Sequence, residues 1–269
     1  MSNGAGGEDN ETGVEDRLQV QEGTYHQAVS ICRFCGAHAP LNKEHLFPDW
    51  LRQALPAATK SKYFRRKGDG TIDSWRSFSH NTTTRIACYS CNGGWMSAIE
   101  GAAAPLLLPK IVSGTPDTLT GQQLAAVVNW FYLKALVIQS TTVPAVAPDN
   151  YYHDLFATHA PRPGTLVWLG ALTGIDAATG FFVGAKIDAM HNGVTASGYM
   201  ATIGVGAFAA RLVYVPPSLG QLGPVTNAPF DANLVKIWPG VPNAPWPPQK
   251  MDFAAFATFN KTLPNILVA

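Results

Sequence analysis

All four cysteines of the chain fall into two C-x2-C pairs, Cys32-Arg33-Phe34-Cys35 and Cys88-Tyr89-Ser90-Cys91, with 52 residues between them. Each pair puts two sulfurs on one side of a tight turn, the arrangement that suits tetrahedral zinc. The other reading is a quartet of buried thiols without metal. Glu44-His45 follows the first pair, and Asn92 directly follows the second. A carboxylate, an imidazole and an amide near a zinc scaffold are the parts that hydrolysis of a phosphodiester with a second metal ion requires.

The elements that must position these groups are legible nearby. Residues 47–55 read as a short helix, with Pro48 in its first turn, Trp50, Leu51 and Leu55 on one face, and Pro56 as its stop. Ser61 to Arg66 and Thr71 to Ser79 read as the two strands of a hairpin, joined by Lys67-Gly68-Asp69-Gly70. Asn92-Gly93-Gly94 then opens a helix in which Trp95 and Ile99 are four apart. Directly after the knuckle and before Gly93-Gly94, Asn92 is also a good helix cap. Glu100 lies eight residues further on, roughly 12 Å along the axis, too far to share an ion with Asn92. A backbone group or a Lys/Arg is its expected partner.

The order of knuckle, Glu-His, and knuckle followed by Asn resembles the HNH endonucleases of the ββα-metal, treble-clef group over roughly residues 30–105. The longer layout, Lys43 to Pro48 and Cys91 to Met96, is similar to bacterial and phage HNH proteins with an extra C-terminal region. The resemblance implies a structural Zn2+ on Cys32, Cys35, Cys88 and Cys91, with His45 as general base. It implies a catalytic Mg2+ or Mn2+ on Glu44 and Asn92, which offer only oxygens and leave room for water and phosphate. The family's middle asparagine stands five residues before the second knuckle. This chain has Thr83 there, with Asn81 two residues upstream. The expected activity is metal-dependent cleavage or nicking of DNA, in duplex form. The alternative is a non-catalytic zinc module that binds nucleic acid or protein.

Charge supports a polyanionic partner for this part of the chain. Residues 33–85 carry ten Lys/Arg against four Asp/Glu, although the whole chain has a net charge of only +1. Arg65, Arg66, Lys67 and Arg76 are interleaved with Tyr63, Phe64, Trp75 and Phe78 on the hairpin and read either as phosphate contacts or as a solvated face.

The expected class is α+β: an N-terminal zinc-stapled ββα-metal unit, then a helix-plus-antiparallel-sheet region. Residues 1–24 form an acidic tail expected to be disordered, residues 25–110 the nuclease-like unit, and residues 111–269 a C-terminal region without an assigned role. A soft boundary is expected near residues 105–120, where Pro105 and Pro109 bracket a leucine run. Gly121 to Ser140 is apolar on most sides, interrupted by Asn129 and Lys134, and reads as a buried helix. Asp149 to His159 is a weaker helix. Leu166–Leu172, Gly180–Ile187, Tyr199–Val205, Ala209–Val215 and Leu234–Trp238 read as strands, and Pro239 to Pro248 as irregular. Trp95 and Trp130 are expected in the core. With no secretory leader, no membrane span and every cysteine in a knuckle, the expected location is the cytoplasm.

Overall fold

A computed structural model describes residues 30–55, 60–66, 72–78, 82–141, 147–174, 180–191, 193–220, 222–262 and 265–268. The expected disordered tail and the hairpin turn at 67–70 lie outside the described residues. Helices and antiparallel sheets together make an α+β fold.

Strands β1 (Ser30–Ile31) and β2 (His38–Ala39) pair around the first knuckle. Strand β3 (Leu41–His45) carries Glu44-His45, and helix α1 (Asp49–Ala54) follows. Pro48 is the residue before that helix rather than in its first turn. Strands β4 (Lys60–Arg66) and β5 (Ile72–Phe78) form the expected hairpin. Strand β6 (Thr83–Cys88) returns beside β3 and delivers the second knuckle.

A short helix, α2 (Tyr89–Cys91), precedes the helix expected to open at Asn92. The backbone kinks at Gly94 (φ −97°, ψ −112°) within the turn Asn92–Met96, and α3 (Ser97–Ser113) follows. Asn92, at φ −65° and ψ −50°, closes α2 before that kink. Helix α3 continues through Pro105 and Pro109 and ends at Gly114, whose left-handed φ of 64° suits glycine. Each proline removes a helical N–H donor. The helix survives them because Ala103, Leu107 and Ile111, four apart, are fully buried.

Strand β7 (Asp117–Thr120) leads into α4 (Gly121–Ser140), where Gln123 Oε1 accepts from the Thr120 N–H at 2.8 Å. Thirteen of the twenty residues of α4 are buried, as its apolar sequence implies. Helix α5 (Asp149–Thr158) packs beside it. The five expected strands all form: β8 (Thr165–Ala171), β9 (Gly180–His191), β10 (Val194–Val205) and β11 (Phe208–Tyr214), then, after β12 (Leu222–Thr226), β13 (Leu234–Trp238). They make one antiparallel sheet in the order β13-β8-β11-β10-β9.

The stretch expected to be irregular holds a strand, β14 (Asn243–Trp246), paired with β7. Helix α6 (Phe253–Phe259) was not expected; β15 (Asn265–Val268) pairs with β12. Buried Arg211 on β11 anchors α6, donating to the Phe259 carbonyl and lying over the Phe259 ring.

One apolar cluster runs from Cys32 and Phe34 through Leu51, Leu107 and α4 to Val167 and Ile203 of the sheet. Trp130 is fully buried, but Trp95 is only half-buried, stacked on His159 at 5.1 Å. The turn from β10 to β11 ties the sheet to α3. Ala207 N donates to the Ile111 carbonyl at 2.9 Å, and any Cβ at Gly206 would meet that oxygen at 2.2 Å. Only glycine fits there.

Candidate metal centre and adjoining pocket

The first knuckle is shaped by its own backbone. Cys32 N donates to the Ala37 carbonyl and Gly36 N to the Cys32 carbonyl, both at 2.9 Å, with Gly36 at φ 72°. Arg33 N reaches the Ile86 carbonyl on β6 at 2.9 Å, and Cys88 N donates to Cys32 Sγ at 3.3 Å. These bonds bring the two knuckles together.

Cys32 Sγ lies 3.8 Å from Cys91 Sγ, Cys35 Sγ lies 3.8 Å from Cys88 Sγ, and all four sulfurs fall within 4.8 Å of one another. A zinc ion about 2.3 Å from each sulfur spaces a tetrahedron of sulfurs by about 3.8 Å. A disulfide needs about 2.05 Å. The spacing fits zinc. Burial raises the Cys91 and Cys35 thiols above their ordinary range. Burial also opposes ionisation of Cys32, but backbone hydrogen bonds from Cys35, Cys88 and Phe34 outweigh it and hold that thiol low. A divalent cation that takes thiolates would relieve the raised pair.

The knuckle is docked on the helices of the C-terminal half. The Arg33 guanidinium lies 2.6 Å from Asp149 and 4.2 Å over the Tyr152 ring, and the Tyr152 hydroxyl donates to the Leu136 carbonyl of α4 at 2.9 Å. Phe34 packs edge-on between Trp95 and Tyr152.

Glu44, His45 and Asn92 line one polar pocket of about 460 Å³, together with Lys43, Asp49 and Glu100. Alternation along β3 buries Glu44 and leaves His45 half-buried. Asn92 Nδ2 donates to the Lys43 carbonyl at 3.2 Å, which fastens the end of α2 to β3 and leaves Oδ1 uncommitted to that bond. His45 Nδ1 is 3.8 Å from Asp49 Oδ1, beyond hydrogen-bond length, and Arg52 holds Asp49 at 2.8 Å. Thr83 is the register partner of His45 in the β3–β6 ladder, past an irregularity between Asn42 and Glu44. The adjoining Thr82 carbonyl accepts from Leu46 N at 3.0 Å. Main-chain pairing with β6 thus fixes the strand that carries His45. Asn81 lies outside the described residues.

One residue of this site was missed in the sequence. Lys134, fully buried on α4, places its Nζ 2.6 Å from Glu44 Oε1, 2.5 Å from Glu100 Oε1 and 2.8 Å from the His45 carbonyl. Burial alone would lower its pKa, but the Glu44 and Glu100 carboxylates raise it above the ordinary lysine range. Glu100 has found the cationic partner expected of it, and it also shares the pocket with Asn92. The signal was present: a lone charge inside an otherwise apolar buried helix must have partners.

Neither a protein-family model, nor a curated protein, nor a solved structure matches the chain. No helix among the described residues is long and apolar enough to cross a membrane.

Of the expected DNA contacts, Arg65, Arg66 and Arg76 lie on the hairpin strands. Arg65 is in register with Asp73, and Arg76 with Lys62. Lys67 lies outside the described residues.

Proposed function

We propose that the chain is a metal-dependent DNA endonuclease or nickase of the HNH type, built on a zinc-stapled ββα-metal unit. The observation that carries this reading is the convergence of Glu44, His45 and Asn92 on one pocket beside a compact quartet of cysteine sulfurs. In this reading His45 takes the proton of the attacking water, and its Nδ1 side faces Asp49, which favours one ring orientation. Glu44 Oε2 and Asn92 Oδ1 offer oxygen donors for Mg2+ or Mn2+. A hard ion that keeps several waters and takes phosphate oxygens needs only one or two protein ligands, so this donor set fits it. Such an ion, when bound, stabilises charge on the phosphate and the leaving oxygen. Arg65, Arg66, Lys67 and Arg76 supply cations for the DNA backbone. Four free thiols in a zinc site suit the reducing cytoplasm.

One observation favours the second reading, a non-catalytic zinc module that binds nucleic acid or protein. Lys134 occupies Glu44 Oε1, so one of the two carboxylate oxygens is already satisfied.

Plasmid cleavage separates the two. Supercoiled DNA is expected to be nicked or linearised with Mg2+ or Mn2+ and to stay intact when the hard ion is withheld while zinc remains bound. His45→Ala is expected to lose that activity by about 10²–10⁴ in rate while keeping its zinc. A His45→Ala protein that cuts like the parent sinks the nuclease reading.

A further inference from the structure

We propose that Lys134 is a positioning residue of the pocket, and that helix α4 thereby makes the C-terminal region part of the site rather than an appendage. The inference rests on the nuclease reading for the pocket's purpose, but its geometry stands independently.

An ammonium has three N–H donors. Those of Lys134 face three acceptors at 2.5–2.8 Å: Glu100 Oε1 on α3, Glu44 Oε1 on β3, and the His45 carbonyl at the end of β3. No donor is left over. A lysine buried without partners is costly, and replacing a whole buried charge cluster by apolar side chains of similar volume is often neutral or stabilising. What the lysine adds is a single point joining three elements. It fixes the carboxylate of the proposed ion ligand through one oxygen and leaves Oε2 for the ion. It also holds the main chain of the proposed base. The residues it holds, Glu44, His45 and Glu100, are pocket-lining, and the first knuckle rests on α5 and α4 through Arg33 and Tyr152.

The rival account is that Lys134 only neutralises buried carboxylates. The double variant Lys134→Met/Glu100→Gln distinguishes them, because it removes one positive and one negative charge and leaves the net buried charge unchanged. If Lys134 positions Glu44 and His45, this variant folds with its zinc, binds Mn2+ at least tenfold more weakly by titration calorimetry, and cuts plasmid at least tenfold more slowly at saturating Mn2+. Glu100→Gln alone, which keeps Lys134 on Glu44 and His45, serves as the reference for the lost carboxylate and is expected to weaken Mn2+ binding clearly less than the double variant does. Should the double variant fail to fold, Lys134→Gln retains two donors one atom short of reach and is expected to show the same weakening.

Parent-like Mn2+ affinity in the folded double variant overturns the proposal, as does equal weakening in Glu100→Gln alone. It is also overturned if neither Lys134 variant folds with zinc, since the residue is then a structural one. If the parent binds Mn2+ but does not cut DNA, and the double variant loses Mn2+ affinity, the nuclease reading fails while the positioning role stands. A parent that neither binds Mn2+ nor cuts overturns both.

Discussion

The ammonium of Lys134 lies 2.6 Å from the carboxylate of Glu44, 90 positions earlier in the chain, and both side chains are buried. Removing one member of such a pair leaves a charge without solvent or partner. Lys134→Met alone is expected to destabilise the fold by about 3–5 kcal/mol, because Glu44 and Glu100 are then left facing each other. Urea denaturation measures this. A loss below about 1 kcal/mol would mean that water reaches the carboxylates.

Zinc should be stoichiometric and structural. Elemental analysis is expected to find one zinc per chain, and Cys88→Ser or a strong chelator is expected to melt the N-terminal elements. Apparent zinc contributions in small finger peptides are roughly 10–16 kcal/mol. Metal-free protein with unchanged thermal stability would refute the assignment.

Glu44 combines two roles that one substitution can separate. Glu44→Gln can still accept from Lys134 through its amide oxygen but loses the negative charge offered to an ion. The variant is expected to fold and to need a higher Mg2+ or Mn2+ concentration for half-maximal cleavage. Glu44→Ala is expected to lose stability as well, because it strands the Lys134 ammonium. Identical metal titrations for Glu44→Gln and the parent would remove Glu44 from the ion site.

Alkaline pH should unfold the chain cooperatively. Burial pushes Tyr132 up to about 12 and raises Tyr151, Tyr152 and Tyr199 as well. Lys134 is raised by its carboxylates against the opposing effect of burial. A group whose folded pKa is raised keeps its proton in the native state after the unfolded chain has released it. Stability contributed by these groups is therefore intact below about pH 10 and falls as pH rises toward the folded values. Tyrosinate absorbance from these four buried tyrosines is expected to appear together with loss of helical circular dichroism. Full tyrosinate absorbance from all eight tyrosines of the chain while the helical signal persists would contradict that linkage.

The hairpin bears on affinity rather than chemistry. Replacing Arg65, Arg66 and Lys67 by alanine is expected to weaken DNA binding at all sequences alike. Each lost duplex phosphate contact should flatten the log–log salt dependence by roughly 0.9. An unchanged slope assigns these bases to a solvated face.

Short-range regularities were readable along the chain. Cysteine spacing announced two thiol pairs, because a C-x2-C turn brings its own two sulfurs together whatever the rest of the protein does. Apolar content from Leu124 to Ile138 announced a buried helix, and runs between turn residues announced all five strands of the main sheet. Each of these depends on residues within about twenty positions.

Tertiary structure decided what depends on distant partners. Helix α3 runs through Pro105 and Pro109 because its Ala103, Leu107 and Ile111 face is buried, and packing there overrides propensity. Strand β14 forms within a proline-rich stretch because β7, more than a hundred residues earlier, supplies its ladder. Asn92 closes α2 before the kink at Gly94 and bonds back to Lys43, so a position that reads locally as the start of a helix is also a clasp between two elements. Glu44 and His45 stand out as candidates in their own neighbourhood, but the lysine that bonds to them does not. In sequence, Lys134 is a single charge interrupting an apolar helix. Only when that helix is laid against β3 and α3 does low-dielectric burial require the charge to be matched, and the groups that match it line the proposed site.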